Sequence, residues 1–496
     1  MQMNLNQHKI LLMTPPFYRL FKGTYSLARF PLSLGYLAGA VKKHTLWDVM
    51  AYNADFVPKS EVIKNSYITE IGFESYLDNL KNLSTPAWKE IISTILEYKP
   101  TVLGISAMSC NFASARIVAK LAKEINKDTI VIVGGPHPSM VGSQALQCAD
   151  IDISVKGEGE QTIVELLKAV EAKKELNSIK GISYRKNGQV IENAPRDFIE
   201  DLDSLCFPHE AASFVLKDYD KYPKFAFKYI FATRGCPYNC FFCGSRNIWS
   251  HKVRFRSIEN IIKEMKALRE KKVNSITFED DTFGINKDYI TRLCDAIITG
   301  CPGLKWSCEL HVKLVDEKIV SLMKKAGCYS ISIGIESGNN AILKKIRKNI
   351  TIEEAMAACR IIKKQGVELC GFFMVGFPYE TEASLKDTMI AMNKIDYDAL
   401  VYSIFTPYPG TESFEFCKQN GLIKGDYDVS LYNHQSPANC FCMNILPERF
   451  RALLSRIERM VDRKNSPNFI RMIKRAFSLN TFRKIQELYY GSRVKK

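Results

Sequence analysis

The sequence predicts two α/β units in tandem: an N-terminal Rossmann-like domain over residues 1–200 and a partial (β/α)6 barrel over 229–430, followed by a largely helical C-terminal region over 431–496. Three observations carry that prediction. Short β-type apolar runs alternate with helix-length amphipathic stretches, the pattern of parallel sheets covered by helices. In the first unit the runs end in loops rich in Gly, Pro and Ser, where a large ligand can approach the backbone at the carboxyl ends of the strands. The 496 residues, 46% hydrophobic and 25% charged, suit ordinary globular cores and speak against disordered or fibrous architectures.

In chain order, residues 9–13 form the first strand and end in Thr14-Pro15-Pro16. A helix near 31–38 precedes a second strand at 47–52, and 57–98 reads as a helical insertion. The third strand, 101–106, opens into Ser109-Cys110-Asn111 and a helix over 113–125. The fourth, 129–133, ends in Gly134-Gly135-Pro136-His137; the fifth, 151–155, runs into Gly157-Glu158-Gly159-Glu160 and another helix. Residues 179–200 make a hairpin around Asn187-Gly188, and 201–228 is a linker. The second unit places strands at 229–233, 275–278, 305–309, 329–335, 368–375 and 400–405, six βα units whose chemistry belongs at the strands' carboxyl ends.

No apolar run approaches the roughly 20 residues a membrane-spanning helix needs. With no secretory signal pattern at the N-terminus, the expected location is the cytoplasm. Fifteen cysteines are too few for a disulfide scaffold of this length, which leaves thiols free for metal. The net charge of +16 is concentrated in the tail, where 447–496 holds 14 Lys and Arg against 4 Asp and Glu. There Phe450, Leu453, Leu454, Ile457, Met460 and Val461 share one helical face, and Phe469, Ile470, Ile473 and Phe477 repeat the pattern. Packing of that stripe on the barrel is the default, with peripheral contact to an anionic membrane as the alternative. No aromatic-interleaved motif speaks for nucleic acid.

The most informative segment is Cys236-Pro237-Tyr238-Asn239-Cys240-Phe241-Phe242-Cys243, three thiols within eight residues of a loop directly after a strand. Thiolates suit soft metals, zinc or iron–sulfur. A structural zinc site wants a fourth ligand at finger or ribbon spacing, and the nearest histidine is His251. The CxxxCxxC spacing instead leaves one iron of a four-iron cluster without a protein ligand.

From this segment through the rest of the second unit, the sequence resembles the radical S-adenosylmethionine (SAM) superfamily. The resemblance implies that Cys236, Cys240 and Cys243 hold a 4Fe-4S cluster whose open iron chelates SAM, and that reductive cleavage yields a 5′-deoxyadenosyl radical. Phe242 matches the aromatic position near the adenine, Asp280 and Asp281 the grip on the methionine amino group, and Glu336 a ribose or methionine contact. Val375 and Gly376 match the adenine strand, and Tyr408-Pro409-Gly410-Thr411 a frequent signature.

A Rossmann-like domain ahead of such a barrel resembles the cobalamin-binding subgroup, which includes carbon methyltransferases and the anaerobic magnesium-protoporphyrin ester cyclase type. The implied cobalamin contacts are Thr14, Pro15, Ser106, Ser109, Gly134, Gly135, His137, Gly157 and Glu158. An Asp-x-His-x-x-Gly motif is absent after the first strand, so a histidine ligand to cobalt is not supplied there; His137 is expected to hydrogen-bond within its own loop. Methylthiotransferases carry three cysteines in their first domain, whereas only Cys110 and Cys148 precede Cys206 here. The implied activity is cobalamin-dependent methylation of an unactivated carbon in a small-molecule, lipid or tetrapyrrole-like substrate. A radical cyclisation or rearrangement is the alternative, and an electron donor such as flavodoxin or ferredoxin is the implied partner. A zinc-thiolate RNA-binding protein is the reading from a different class. The remaining cysteines, Cys440 and Cys442 included, are expected to pack.

Overall fold

The structure, a computed structural model, describes residues 8–59, 70–425, 427–428, 430–436 and 438–466. Its first sheet contains β1 (Lys9–Thr14), β2 (Asp48–Asn53), β3 (Val102–Ser106), β4 (Ile130–Gly134), β5 (Ile153–Val155), β6 (Ile182–Lys186) and β7 (Gln189–Glu192), in the order β2-β1-β3-β4-β5-β6-β7. Strands β1 to β5 are parallel, and the hairpin β6–β7 adds two antiparallel strands. Central strands of such a sheet are covered on both faces. That is why β1 reads as the unbroken run Ile10 to Met13, every residue of it buried, rather than as an alternation. With β2 on one side of β1 and β3 on the other, the order reverses between β1 and β3, and a crevice opens at their carboxyl ends.

The insertion is helical where it is described, over Glu70–Lys81 and Pro86–Tyr98; residues 60–69 lie outside the described residues.

The second unit holds β8 (Tyr229–Ile230), β9 (Thr233–Arg234), β10 (Arg254–Phe255), β11 (Ser275–Phe278), β12 (Lys305–Glu309), β13 (Cys328–Glu336), β14 (Glu368–Val375) and β15 (Ala399–Ile404). Six of them form one parallel sheet, β15-β14-β13-β12-β11-β8, as expected for a partial barrel. Residues on β14 and β15 alternate strictly, one side buried beneath helices and the other partly accessible toward the lumen. The first barrel strand departs from the predicted 229–233. It breaks after Ile230, and β9 leaves the barrel to pair antiparallel with β10. Asp280 causes the break: its carboxylate accepts the amide hydrogens of Ala232 (3.1 Å) and Thr233 and the Thr233 hydroxyl (2.6 Å), drawing that backbone away from the ladder.

The helix Pro447–Asn465 buries Phe450, Leu453, Ile457 and Val461, so in this helix the apolar stripe packs on the barrel. Phe469, Ile470, Ile473 and Phe477 lie outside the described residues. At its end Asn465 imitates a neighbouring strand, accepting the Leu400 amide (2.9 Å) and donating to the Leu400 carbonyl (2.7 Å), which covers the edge of β15. Asn465→Ala leaves both backbone groups without that partner and is expected to cost about 1–3 kcal/mol in chemical denaturation.

Candidate active site at the junction of the two domains

The cysteine loop leaves β9 through Gly235, whose φ of +107° and proximity to the Lys252 carbonyl exclude a Cβ. Three contacts then shape the loop. The Phe241 amide donates to the Ile346 carbonyl (3.0 Å), the Arg347 Nε to the Asn239 carbonyl (3.1 Å), and the Cys243 amide to the Cys240 carbonyl (3.1 Å). The Thr282 Oγ1 lies 3.4 Å from the Cys236 sulfur, and the Ser245 amide donates to the Cys243 sulfur at 3.4 Å. Tyr238 stacks on His311, centroids 3.9 Å apart. The three sulfurs are close enough to interact electrostatically. Among the described residues, however, no three His, Cys, Asp or Glu side chains gather round a single ion. In a cubane each sulfur would meet a different iron, so the three need not converge on one point as zinc ligands do.

One cation was not anticipated. Lys348 is largely but not fully buried, with its Nζ 2.8 Å from Glu336 Oε1, and it faces Cys240 and Cys243. Burial pushes the Cys240 thiol up, and Lys348 pulls it back toward the thiolate a metal needs.

The expected SAM residues divide into two groups. Phe242, Asp281 and Glu336 lie in or beside the loop, whereas Val375 is buried at the end of β14 and the Cβ position of Gly376 faces the Phe450 ring. The Phe242 ring lies 5.7 Å from that of Phe377, and the Ser245 hydroxyl donates to Asp281 at 3.2 Å. Glu336 ends β13 at φ +69°, where the register with β14 shifts, and this turns its carboxylate toward Lys348. Asp280 is placed differently from the expectation. It is buried, its oxygens are taken by Ala232 and Thr233, and it therefore shapes the entry to the cysteine loop. Sequence reading also missed Glu380, which accepts the amides of Gly376 and Phe377 (3.1 Å). Burial pushes it up to about 8. Its only signal was its place in the turn after Gly376.

The mouth carries two unpaired polar groups. His311 Nε2 is buried without a hydrogen-bond partner, and the carboxylate of Glu309, exposed at the end of β12, has none among the described residues. Desolvation by the surrounding walls, with Glu279 and Glu336 nearby, pushes Glu309 up to about 7. Both are free to meet a bound cosubstrate or substrate.

On the first domain, Thr14 and Pro15 end β1, and the Ser106 hydroxyl lies 3.3 Å from that of Ser33. The Ser109 hydroxyl is 2.9 Å from His137 Nδ1, and Phe112 lies against the His137 ring at 4.1 Å. Burial pulls this imidazole down to about 4, so it is neutral, and its bond runs to the loop after β3 rather than within its own loop. Gly134 and Gly135 lead into the helix Pro136–Val141, where the Ser139 hydroxyl accepts the Gly157 amide at 3.0 Å and ties the β4 loop to the β5 loop.

Glu158 corrects the sequence reading. Instead of facing a cofactor it is buried against the second domain, with Oε1 2.5 Å from Arg234 and Oε2 2.7 Å from Arg254. It also accepts the Ile199 amide at 2.7 Å, and Glu160 takes the other arm of Arg234 at 2.6 Å. A second contact lies beside it: a Cβ on Gly244 would meet the Met140 sulfur at 2.5 Å. The segments after β4 and β5 thus rest on the end of the cysteine loop and on the β9–β10 pair.

A carboxyl-end crevice, a three-thiol loop and a six-stranded parallel barrel are joined here in one chain. The B12 binding domain family matches residues 30–167, and the Radical SAM superfamily matches residues 230–391. The chain is also 33% identical over 84% of its length to an uncharacterised methyltransferase of Pyrococcus horikoshii, covering 84% of that chain. This chain belongs to the radical SAM superfamily. Its cofactors are accordingly a 4Fe-4S cluster, SAM and cobalamin. The radical SAM protein is 27% identical over 76% of its length to an anaerobic magnesium-protoporphyrin IX monomethyl ester cyclase of Rubrivivax gelatinosus, covering 67% of that chain. Among solved structures it resembles the radical SAM methyltransferase TsrM of Kitasatospora setae, with cobalamin and a 4Fe-4S cluster bound. That likeness has a TM-score of 0.68 at 15% identity and covers 92% of this chain and 89% of the other.

If Gly235 is what lets the loop form, Gly235→Ala is expected to hold less than a tenth of the wild-type iron after anaerobic reconstitution, measured by colorimetric iron and sulfide assay.

Proposed function

We propose that this radical SAM enzyme methylates an unactivated carbon of a small, tetrapyrrole-like substrate held between its two domains. One observation carries the reading: the segments after β4 and β5 lie against the end of the cysteine loop through Met140 and against its supporting ribbon through Glu158, so the two cofactor regions adjoin. Relatives named for methyl transfer and for a tetrapyrrole ester support the reaction and the substrate class.

Together, the bound cluster, SAM and cobalamin supply a one-electron cleavage and a transferable methyl group. The chain's own residues bind, orient and shield. Cys236, Cys240 and Cys243 hold the cluster, with Lys348 countering their negative charge. Phe242, Asp281, Glu336 and the Val375–Gly376 backbone line the SAM side. Thr14, Pro15, Ser106, Ser109, Gly134, Gly135, His137 and Gly157 face cobalamin. Tyr408, whose hydroxyl lies 3.3 Å from His434 Nδ1, joins Phe17, 5.7 Å from the same imidazole, in one contact across the two domains. Electrons come from a flavodoxin or ferredoxin type of donor. Among the described residues no helix is long and apolar enough to cross a membrane.

Radical cyclisation is the second reading, favoured by the likeness to the ester cyclase. Anaerobically reconstituted protein, given SAM and dithionite, is expected to hold about four iron atoms per chain and to release 5′-deoxyadenosine. With cobalamin added as methyl acceptor, S-adenosylhomocysteine formed alongside it marks methyl transfer, and 5′-deoxyadenosine without it favours cyclisation. Cys240→Ala is expected to lower 5′-deoxyadenosine formation at least a hundredfold; retained cleavage would refute the site.

A further inference from the structure

We propose that Glu158 is a positioning residue for the iron–sulfur site, supplied by the cobalamin-binding half of the chain. The inference rests on the reading of Cys236, Cys240 and Cys243 as cluster ligands.

Beneath the cysteine loop lies a ribbon to which β9 and β10 contribute two residues each, and Arg234 sits directly opposite Arg254 in their register. A two-residue ribbon has almost no cohesion of its own, and like charges directly opposite one another push it apart. Both guanidiniums are buried, with side chains 9% and 3% exposed, so water does little to screen them. Glu158, 2% exposed, reaches one oxygen to each arginine and turns the repulsive pair into a bridge.

The cysteine loop springs from this ribbon. Gly235 and Cys236 come immediately after Arg234, and the loop returns through Lys252 to Arg254. The carboxylate that closes the ribbon comes from the other domain, at the start of the helix Gly159–Glu171. The cysteine loop is therefore completed only when the domains are docked. Glu158 is itself held by the Ile199 amide, which fixes the direction of both oxygens.

Glu158→Gln removes the charge and keeps the volume. Arg234 retains Glu160, and Arg254 retains the Ile199 carbonyl at 2.6 Å and the Phe198 and Trp249 rings. The substitution should therefore perturb the loop without unfolding the chain.

The experiment compares full-length wild type, Glu158→Gln, Glu165→Gln and Cys240→Ala, each reconstituted anaerobically with iron and sulfide. Glu165 lies on the same helix but pairs with Arg196, away from the ribbon. The readouts are the rate of iron release to bathophenanthroline, the electron paramagnetic resonance spectrum of the dithionite-reduced cluster with and without SAM, and the thermal midpoint. Glu158→Gln is expected to release iron at least tenfold faster and to show an altered spectrum with SAM, while Glu165→Gln matches wild type. If Glu158→Gln releases iron within twofold of wild type and its spectrum superimposes, the proposal is wrong. Should Glu158→Gln fail to fold, Arg254→Met, which removes the Nη1 that joins Glu158 to the Ile199 carbonyl and keeps an apolar stem, takes its place under the same two criteria. A wild-type spectrum in Cys240→Ala would overturn the cluster assignment itself, independently of Glu158.

Discussion

Two buried arginines face one another across the shortest ribbon in the molecule, and a carboxylate from a different domain holds them there. Removing one partner from such a buried set typically costs about 3–5 kcal/mol, because the charges left behind can neither pair nor reach water. Replacing a whole buried ionic set with apolar residues is often neutral or stabilising, so stability alone does not explain it. What the charges add is direction: Glu158 gives one oxygen to each arginine while Arg234 divides its two arms between Glu158 and Glu160, and this fixes one loop against another.

The same device recurs around the barrel mouth. Glu264, fully buried, bridges His209 of the linker (2.9 Å) and Arg256 beside the ribbon (2.5 Å). Arg29, from the segment ahead of the helix Leu32–His44, crosses over to Glu279 at the end of β11 (2.6 Å) while lying over the Tyr229 ring. The first domain therefore supplies charges to the mouth of the second at more than one point. Within the mouth, Arg29 and Lys348 neutralise Glu279 and Glu336, which leaves Glu309 without a cation of its own. A site that must hold a sulfonium compound beside anionic thiolates gains from having both signs of charge already placed.

Much of this was legible in one dimension. Strands at 275–278, 305–309 and 368–375 appear where β-type runs between helical stretches predicted them, because barrel strands alternate between a buried side and a lumen side. The cysteine loop was legible because its three ligands are local in sequence. Asp280 was misread: two acidic residues at a strand end look alike in sequence, yet one turns in toward Thr233 and the other toward Ser245. Glu158 was misread for a related reason. A carboxylate in a glycine-rich loop at a ligand-binding edge has the same local signature whether it meets a cofactor or an arginine 76 residues further on.

The sequence by itself determined the two α/β units, their order, the thiol triplet and the chemistry that triplet supports, since each depends on periodicity or on neighbours a few residues apart. Only the tertiary structure decided which carboxylates face the cavity and which lock the domains, and that Lys348 enters among the sulfurs. Those choices depend on where burial removes water from a charge, and burial is a property of the folded pair of domains that no stretch of chain carries alone.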